Sequence, residues 1–335
     1  MNTDIDRTIH AWAMSEIMPW RMRCRARDVV ADADVQLSAA RNMFKFTVRE
    51  GGISVEPKSS QPADVAADRR CRTYLGFFRE VLRAYPSIPD TMFVLCVGDM
   101  APPGLDTPLF QFQKPAGSSS ILLPDIEFIE LEYYHQPALA DNVPYADKAH
   151  SAIFVGGTSG QLNTVETVRH PVAQRLRAAK YFRGHANVRF LLTSLSQCEN
   201  TEAEQALRDL GFGGPRIPWP EQFSHKFIIS VDGNGATCSR VVIALKSNSV
   251  LLKYDSSHHL YYFRGLIPWR HYVPIRVDGD IEDIVQIERE CPNAFASIAE
   301  EGRYFAETYL VRPRVLQYAA EVLTGYARHV YPATA

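Results

Sequence analysis

The sequence predicts a two-lobed α/β protein whose second half is organised on a parallel sheet. At 335 residues the chain exceeds what one hydrophobic core usually serves, so two lobes of roughly 150 residues each are expected. Beyond residue 150, apolar β-rich runs alternate with segments of helical period, the pattern that gives a parallel sheet with crossover helices. Apolar residues make up 46% and charged residues 22% of the chain, which fits a globular enzyme and argues against disordered and fibrous classes.

Taken in order, Ile9, Trp12, Ala13, Ile17 and Trp20 recur at helical spacing and lead into Arg21, Arg23, Arg25 and Arg27 with no intervening acid. Such a stripe over residues 9–27 suits either peripheral contact with an anionic membrane or docking on the helix's own domain; packing is the preferred reading. FKFTVREGGISV reads as two short strands around a Gly-Gly turn, and a Pro/Ser loop over 56–64 follows. Asp68, Cys71, Tyr74, Leu75, Phe78, Val81, Leu82 and Tyr85 give a helix that Pro86 ends. The continuous apolar run TMFVLCVGD predicts a parallel strand buried on both faces and finishing at Asp99. Residues 101–150, rich in Pro, Gly and Ser, predict a loop-heavy lobe junction. SAIFVGG, a helix over about 164–180, NVRFLLTS, a helix near 201–209, HKFIISVDGNG, a helix near 237–246 and SVLLKY then alternate. Helices over 280–291, 293–309 and 312–329 close the chain, separated by Pro292 and Pro313.

The formal charge of −2 and isoelectric point near 6.6 give no electrostatic footprint for nucleic acid. The six cysteines (Cys24, Cys71, Cys96, Cys198, Cys238, Cys291) lie far apart without metal-ligand spacing and read as free thiols in a reducing compartment. No run approaches a membrane span and no basic-apolar leader opens the sequence, so a cytoplasmic protein is expected, at most peripheral at the inner membrane face.

The chemistry concentrates in two glycine-rich strand exits. In FIISVDGNGATCSRVVIALKSNSVLLK a strand ends in the tight turn Asp232-Gly233-Asn234-Gly235 and feeds a helix whose first turn carries Ser239 and Arg240. Backbone N–H groups and the positive end of such a helix favour phosphate, and an arginine adds a fixed cation; an ordinary turn with geometrically required glycines is an equally good reading of the spacing. FVGGTSG, residues 154–160, likewise sets Thr158, Ser159 and Gly160 before a helix, where backbone and hydroxyl donors can meet an anion. Neither turn is the dinucleotide fingerprint or the lysine-bearing triphosphate loop, which disfavours hydride transfer and kinase chemistry.

DGNGATCSRVVIALKSNSVLLK, followed by YYFRGLIPWRHYVPI at 261–275, resembles glycosyltransferase family 90. Leu266, Pro268, Trp269, His271, Tyr272, Val273 and Pro274 reproduce the family's LxPWxHYVP signature, and AEEGRYFAETYL and IPDTMFVLCVGDMAPP extend the likeness. The resemblance implies a GT-B fold: two Rossmann-like lobes with parallel sheets facing a cleft, and C-terminal helices packing back across the lobes. The expected lobes are residues 1–145, completed by 312–335, on the acceptor side, and 146–311 for the nucleotide sugar. It further implies inverting, metal-independent transfer of xylose, glucose or galactose from a UDP-sugar to a hydroxyl of a surface-polysaccharide, lipopolysaccharide or lipid-linked acceptor, with no cofactor. Asp99 matches the family's base, and a carboxylate at the end of a buried strand suits that role; the alternative is that Asp99 caps a turn before the Pro102-Pro103 break. The donor would meet Gly156, Thr158, Ser159, Asp232, Gly233, Asn234, Gly235, Ser239, Arg240, Lys253, His271 and Tyr272; for the last two a place in the cleft is the preferred reading and buried hydrogen-bonded core the alternative.

The chain departs from the family where FVG replaces FRG: Val155 stands where the family often has arginine, so Arg240 and Lys253 would carry more of the charge compensation. The acidic residue often found before LxPW is also missing from SSHHLYYFRG. His258-His259 reads as a polar loop and not a metal site. Asp278-Gly279-Asp280 resembles a metal-binding DxD, but Asp280 reads better as a helix N-cap. The rival readings are a noncatalytic sugar-nucleotide sensor or partner subunit, and a Ser/His hydrolase, which lacks a GxSxG elbow.

Overall fold

A computed structural model of the chain describes residues 3–21, 42–57, 65–99, 101 and 107–331. The chain forms two compact units, one of residues 1–133, 258–264 and 308–335, the other of residues 134–257 and 265–307. They differ from the expected lobes in three places. The first division comes at Tyr133 instead of 145, residues 258–264 leave the second unit to join the first, and the last division comes at 308 instead of 312.

The first unit opens with α1 (Thr3–Arg21), whose buried face is Ile9, Trp12, Ala13, Glu16, Ile17 and Trp20. The apolar stripe is therefore packed inside the unit and not offered to a membrane; residues 22–27, with Arg23, Arg25 and Arg27, lie outside the described residues. β1 (Met43–Arg49) and β2 (Gly52–Pro57) form the expected hairpin, turned at Gly51 with φ +74. α2 (Val65–Ala84) lays Cys71, Tyr74, Phe77, Phe78, Val81 and Leu82 into the core. β3 (Thr91–Cys96) is buried except at Met92, yet it is not a parallel strand among parallel neighbours. It runs antiparallel to β1 and meets the short β4 (Phe110–Gln111) in parallel through Leu95 and Phe110. An unbroken apolar run reports burial on both faces but not the direction of its partners, which the local hairpin supplied here. β5 (Lys114–Pro115), β6 (Ile121–Leu122) and α3 (Glu127–Glu130) bring partial order to the stretch expected as loop. The sheet order is β2-β1-β3-β4-β6.

The second unit carries the parallel sheet. β7 (Ala149–Gly157), α4 (Val165–Arg169), α5 (Gln174–Tyr181), β8 (Val188–Ser194), α6 (Thr201–Asp209), α7 (Trp219–Gln222), β9 (His225–Ser230), α8 (Cys238–Lys246) and β10 (Val250–Tyr254) follow the expected alternation. The single helix expected over 164–180 is two, because Pro171 disfavours helical geometry at His170 and removes an amide donor. The chain then crosses to the first unit as β11 (His258–His259), antiparallel to β5, so the expected polar loop is a short paired strand. β12 (Val273–Ile275), α9 (Gly279–Glu290) and most of α10 (Ala296–Tyr309) complete the second unit; α11 (Arg312–His329) returns to the first and packs on α1 and α2. Gly325 permits that approach, since a Cβ there would lie 3.2 Å from both Ile17 Cγ1 and Met14 Sδ.

Every neighbouring pair in the order β12-β10-β9-β7-β8 is parallel. Its core includes Phe154, Phe190, Phe227, Ile229, Val231 and Leu252. The buried Lys226 Nζ donates to Glu288 Oε1 at 2.8 Å, fixing α9 to β9.

Candidate active site

The sheet of the second unit places the site by topology. From β7 the chain first builds outward to β8, then returns to the other side of β7 to lay down β9 and β10. The order therefore reverses between β7 and β9, and in parallel α/β sheets ligands bind beyond the carboxyl ends of strands at such a switch point. The two glycine-rich turns singled out in the sequence leave these two strands.

The structure brings those turns into contact. Gly160 N donates to Asn234 Oδ1 at 3.2 Å and to Gln197 Oε1 at 3.0 Å. A Cβ on Gly160, whose φ is +115, would lie 3.1 Å from the Gly233 carbonyl oxygen; one on Gly233 would lie 2.7 Å from Ser159 Oγ. Gly156 is required differently, since its Cβ would strike the Phe154 ring at 2.7 Å. Gly233 N donates to Gly235 O at 3.1 Å, closing the second turn ahead of α8. Thr237 occupies the N-cap of α8 without a side-chain cap, its hydroxyl donating instead to Val231 O at 2.9 Å.

Arg240, in the first turn of α8, lies across the end of β7. Its Nη2 donates to Val155 O, Nη1 to Gln222 Oε1 at 3.4 Å, and the guanidinium sits 4.7 Å from the Phe154 ring centroid and 5.3 Å from that of Trp219. Burial, with the nearby Arg175 charge, pushes its pKa down to about 9. Arg175 itself was not singled out by the sequence. From α5 it donates to Ser159 Oγ at 2.8 Å, to Gly157 O at 3.3 Å and twice to Val231 O, and burial lowers its pKa to about 10 against the Asp232 charge. Its signal was masked because Gln174-Arg-Leu-Arg-Ala-Ala-Lys180 reads as an ordinary solvated basic helix, and the neighbouring Arg177 is indeed exposed. Asp232 accepts from Ser256 Oγ, and burial lowers the pKa of Lys253 against the opposing pull of Asp232 and Asp255. Ser239 lies half-buried one residue before Arg240.

Several expected ligand residues also hold scaffold contacts. Thr158 is buried, its hydroxyl donating to Ser196 O at 3.0 Å and accepting from Ser196 N at 2.9 Å, so it ties β7 to the end of β8. His271 is buried beside Phe305, and its Nδ1 accepts from Ile267 N at 3.0 Å, which makes it a brace of its own turn. Tyr272 is half-buried, its phenol pKa raised by burial and by Asp255. Asp278, not Asp280, holds the N-cap position of α9, and its carboxylate accepts from Tyr254 OH at 2.7 Å. Asp280 accepts from the backbone N–H of Arg276 and Val277, so the DxD is a helix-start device.

Asp99 belongs to the first unit, three residues past the end of β3. Arg70 Nη1 donates to its Oδ1 at 3.0 Å and to Val97 O at 2.9 Å, and Gln113 Nε2 donates to its backbone carbonyl at 2.7 Å. The carboxylate side chain nevertheless remains 42% exposed, so it is both oriented and accessible.

The family model of glycosyl transferase family 90 matches residues 8–332. The chain belongs to this family. It is 27% identical over 186 residues to protein O-glucosyltransferase 2 of Danio rerio, covering 52% of this chain and 37% of that protein. Over 106 residues it is 34% identical to protein O-glucosyltransferase 3 of Mus musculus, covering 31% of this chain and 21% of that protein. Uncharacterized protein 179R of Invertebrate iridescent virus 6 is 24% identical over 204 residues, 54% of this chain and 17% of that one. The chain thus spans well under half the length of these relatives. Membership of the family implies a sugar donor and an acceptor. Among the described residues, no helix is long and apolar enough to cross a membrane.

Proposed function

We propose that the chain is an inverting, UDP-sugar-dependent glycosyltransferase of GT-B type, with its donor grip on the second unit and its base on the first. The observation that supports this best is the meeting of two glycine-rich turns at the switch point of the parallel sheet, with Arg240 and an uncapped helix start beside them. Glucose is the first donor sugar to test, because the relatives are named protein O-glucosyltransferases; xylose and galactose follow from the sequence resemblance. Those names also set a protein hydroxyl beside the polysaccharide or lipid-linked hydroxyl as an acceptor class.

In the proposed reaction Asp99 takes the proton of the acceptor hydroxyl, whose oxygen attacks the anomeric carbon from the side opposite the diphosphate. One C–O bond forms, the bond from the anomeric carbon to the phosphate oxygen breaks, and UDP leaves with the bonding electrons. Arg240, Lys253 and the N–H groups at the start of α8 would offset the charge that develops on UDP, so the reading requires no divalent cation.

Asp99→Asn tests the reaction. Asparagine is nearly isosteric but accepts no proton, so transfer should fall by about 10²–10⁴-fold while UDP affinity and melting temperature hold. UDP-glucose, UDP-xylose and UDP-galactose would be assayed against glycan and peptide acceptors. A transfer rate within about threefold of wild type, far short of the general-base range, would remove Asp99 from the mechanism. UDP binding without turnover on any acceptor would favour the sensor reading.

A further inference from the structure

β8 is the last strand of the second unit's sheet, and β7 is its one neighbour there. Ala152 pairs with Val188 in register, and its N–H donates to the carbonyl of Asn187 at 2.9 Å. Bonded residues alternate along a parallel ladder, so Arg189 and Leu191 face β7 while Val188, Phe190 and Leu192 turn their N–H and C=O groups to the free edge. Gly213 N meets one of these groups, Leu192 O, at 2.8 Å. The N–H and C=O of Val188 and Phe190 have no hydrogen-bond partner among the described residues. Yet Val188 is only 2% and Phe190 7% exposed, and buried backbone polar groups are almost always paired with protein, water or a ligand.

A cavity of about 500 Å³ lies along this edge. The end of α5 and the turn after it form one side, through Phe182, Gly184 and His185; the segment between α6 and α7 forms the other, through Leu210, Phe212 and Gly214. Phe190 lines it between them, with its ring stacked against that of Phe182, the centroids 6.0 Å apart. Small-molecule sites have this size and make-up: roughly 300–1,000 Å³, mostly apolar and aromatic, with a few polar groups that fix orientation. Besides the strand edge, the polar groups include the guanidinium of Arg183, which is exposed and makes no ion pair or side-chain hydrogen bond with any described residue. The neighbouring Arg189 and His185 are each matched at 3.3 Å, to Glu221 and Glu282. The charge left unmatched at the cavity is therefore positive.

We propose that this cavity binds a small aromatic anion, with its ring system among Phe182, Phe190 and Phe212, its acidic group at Arg183 and its polar edge on the backbone of Phe190. Three phenylalanine rings beside one donor and one acceptor of the same residue suit the flat face and polar edge of such a ring better than a flexible acyl chain. None of the residues of the two glycine-rich turns lines this cavity. It is a second site in the unit and does not rest on the nucleotide reading.

Two fluorescent dyes with the same aromatic body test it: anilinonaphthalene sulfonate, and its neutral counterpart phenyl naphthylamine, which lacks the sulfonate. Wild type should bind the sulfonate once per chain, with an affinity that saturating UDP leaves unchanged. Arg183→Gln should weaken the sulfonate by about tenfold, the low end for a charge-assisted contact because the rim is open to water, and the neutral dye by less than about twofold. Gly214→Trp introduces a side chain where a Cβ meets nothing within 4 Å. It should crowd the cavity and weaken both dyes by more than about tenfold. Arg183 is exposed and unpaired, so its variant should keep the wild-type melting curve and carries the test alone if the tryptophan variant does not fold. Absence of sulfonate binding to wild type, displacement of the dye by UDP, equal effects of Arg183→Gln on the two dyes, or indifference of both to a folded Gly214→Trp protein would each overturn the proposal.

Discussion

Substituting Gly160 by alanine perturbs the site at the point where its two turns meet. The residue holds φ +115, a backbone region that side-chain-bearing residues rarely adopt, and its new Cβ would stand 3.1 Å from Gly233 O and 3.4 Å from Gly233 C. Backbone strain of this kind costs roughly 1–3 kcal/mol. The close approach to backbone, which cannot swing aside as a flexible side chain would, forces the 232–235 turn to shift by a few tenths of an ångström. If the strain is relieved by parting the turns, UDP affinity should drop by about 5- to 150-fold. If the fold holds them together, the same energy should appear as a melting temperature lowered by about 2–12 °C. Gly184→Ala provides the control, because Gly184 also has positive φ (+76) but its Cβ would meet nothing within 4 Å. It should lower the melting temperature and leave UDP affinity alone. UDP titration together with thermal melting reads both quantities. A Gly160→Ala protein matching wild type in affinity and melting temperature would refute the claim that this glycine sets the site.

Two further outcomes are expected. Sugar transfer should survive EDTA, since the cations and helix start would already balance the diphosphate; abolition by chelator and rescue by magnesium or manganese would contradict the proposed charge balance. Stability should also fall with acid through His225, whose pKa burial depresses to about 4 from 6.5 while Ser151 Oγ lies 2.7 Å from its Nδ1. Between those values the unfolded chain binds a proton that the folded chain refuses. This contribution is complete above pH 6.5 and is lost toward pH 4 at about 1.4 kcal/mol per pH unit. Urea unfolding at pH 7 and pH 5 should show a shallower pH slope for His225→Asn than for wild type, and equal slopes would exclude the assignment.

The parts of the fold legible in the sequence were those fixed by nearby residues. Gly51-Gly52 marked the hairpin, and Asp232 to Gly235 marked the end of β9 and the start of α8. Pairing direction was not legible, because the apolar run of β3 specifies burial while its antiparallel neighbour is set by a hairpin some forty residues earlier. The return of His258-His259 to pair with Pro115 and Lys114 rests on partners more than 140 residues away, beyond any local signal. In the site, the sequence marked Gly160, Gly233 and Arg240 through turn chemistry, and the structure sets Gly160 against Gly233 and Arg240 on the Val155 carbonyl. It offered Thr158 for its place in a glycine-rich strand exit and His271 on the family signature, with buried hydrogen-bonded core as the alternative for His271; the partners Ser196 and Ile267 give each a scaffold contact that no local pattern announced. It passed over Arg175, whose neighbours on α5 disguise it as one basic surface residue among several. Only the packing of Phe154, Ser159 and Gly233 around it reveals otherwise.

The central claim is that a nucleoside diphosphate binds where the turns from β7 and β9 meet at the first turn of α8. Titration of UDP into wild type and Arg240→Ala addresses it most directly, because Arg240 is the one side chain named by the sequence that the structure sets across the strand end. Loss of a charge-assisted contact to phosphate should weaken binding by about 1.5–3 kcal/mol, one to two decades in dissociation constant. The account predicts that loss in a variant whose melting curve remains cooperative. A UDP dissociation constant unchanged by Arg240→Ala would contradict it.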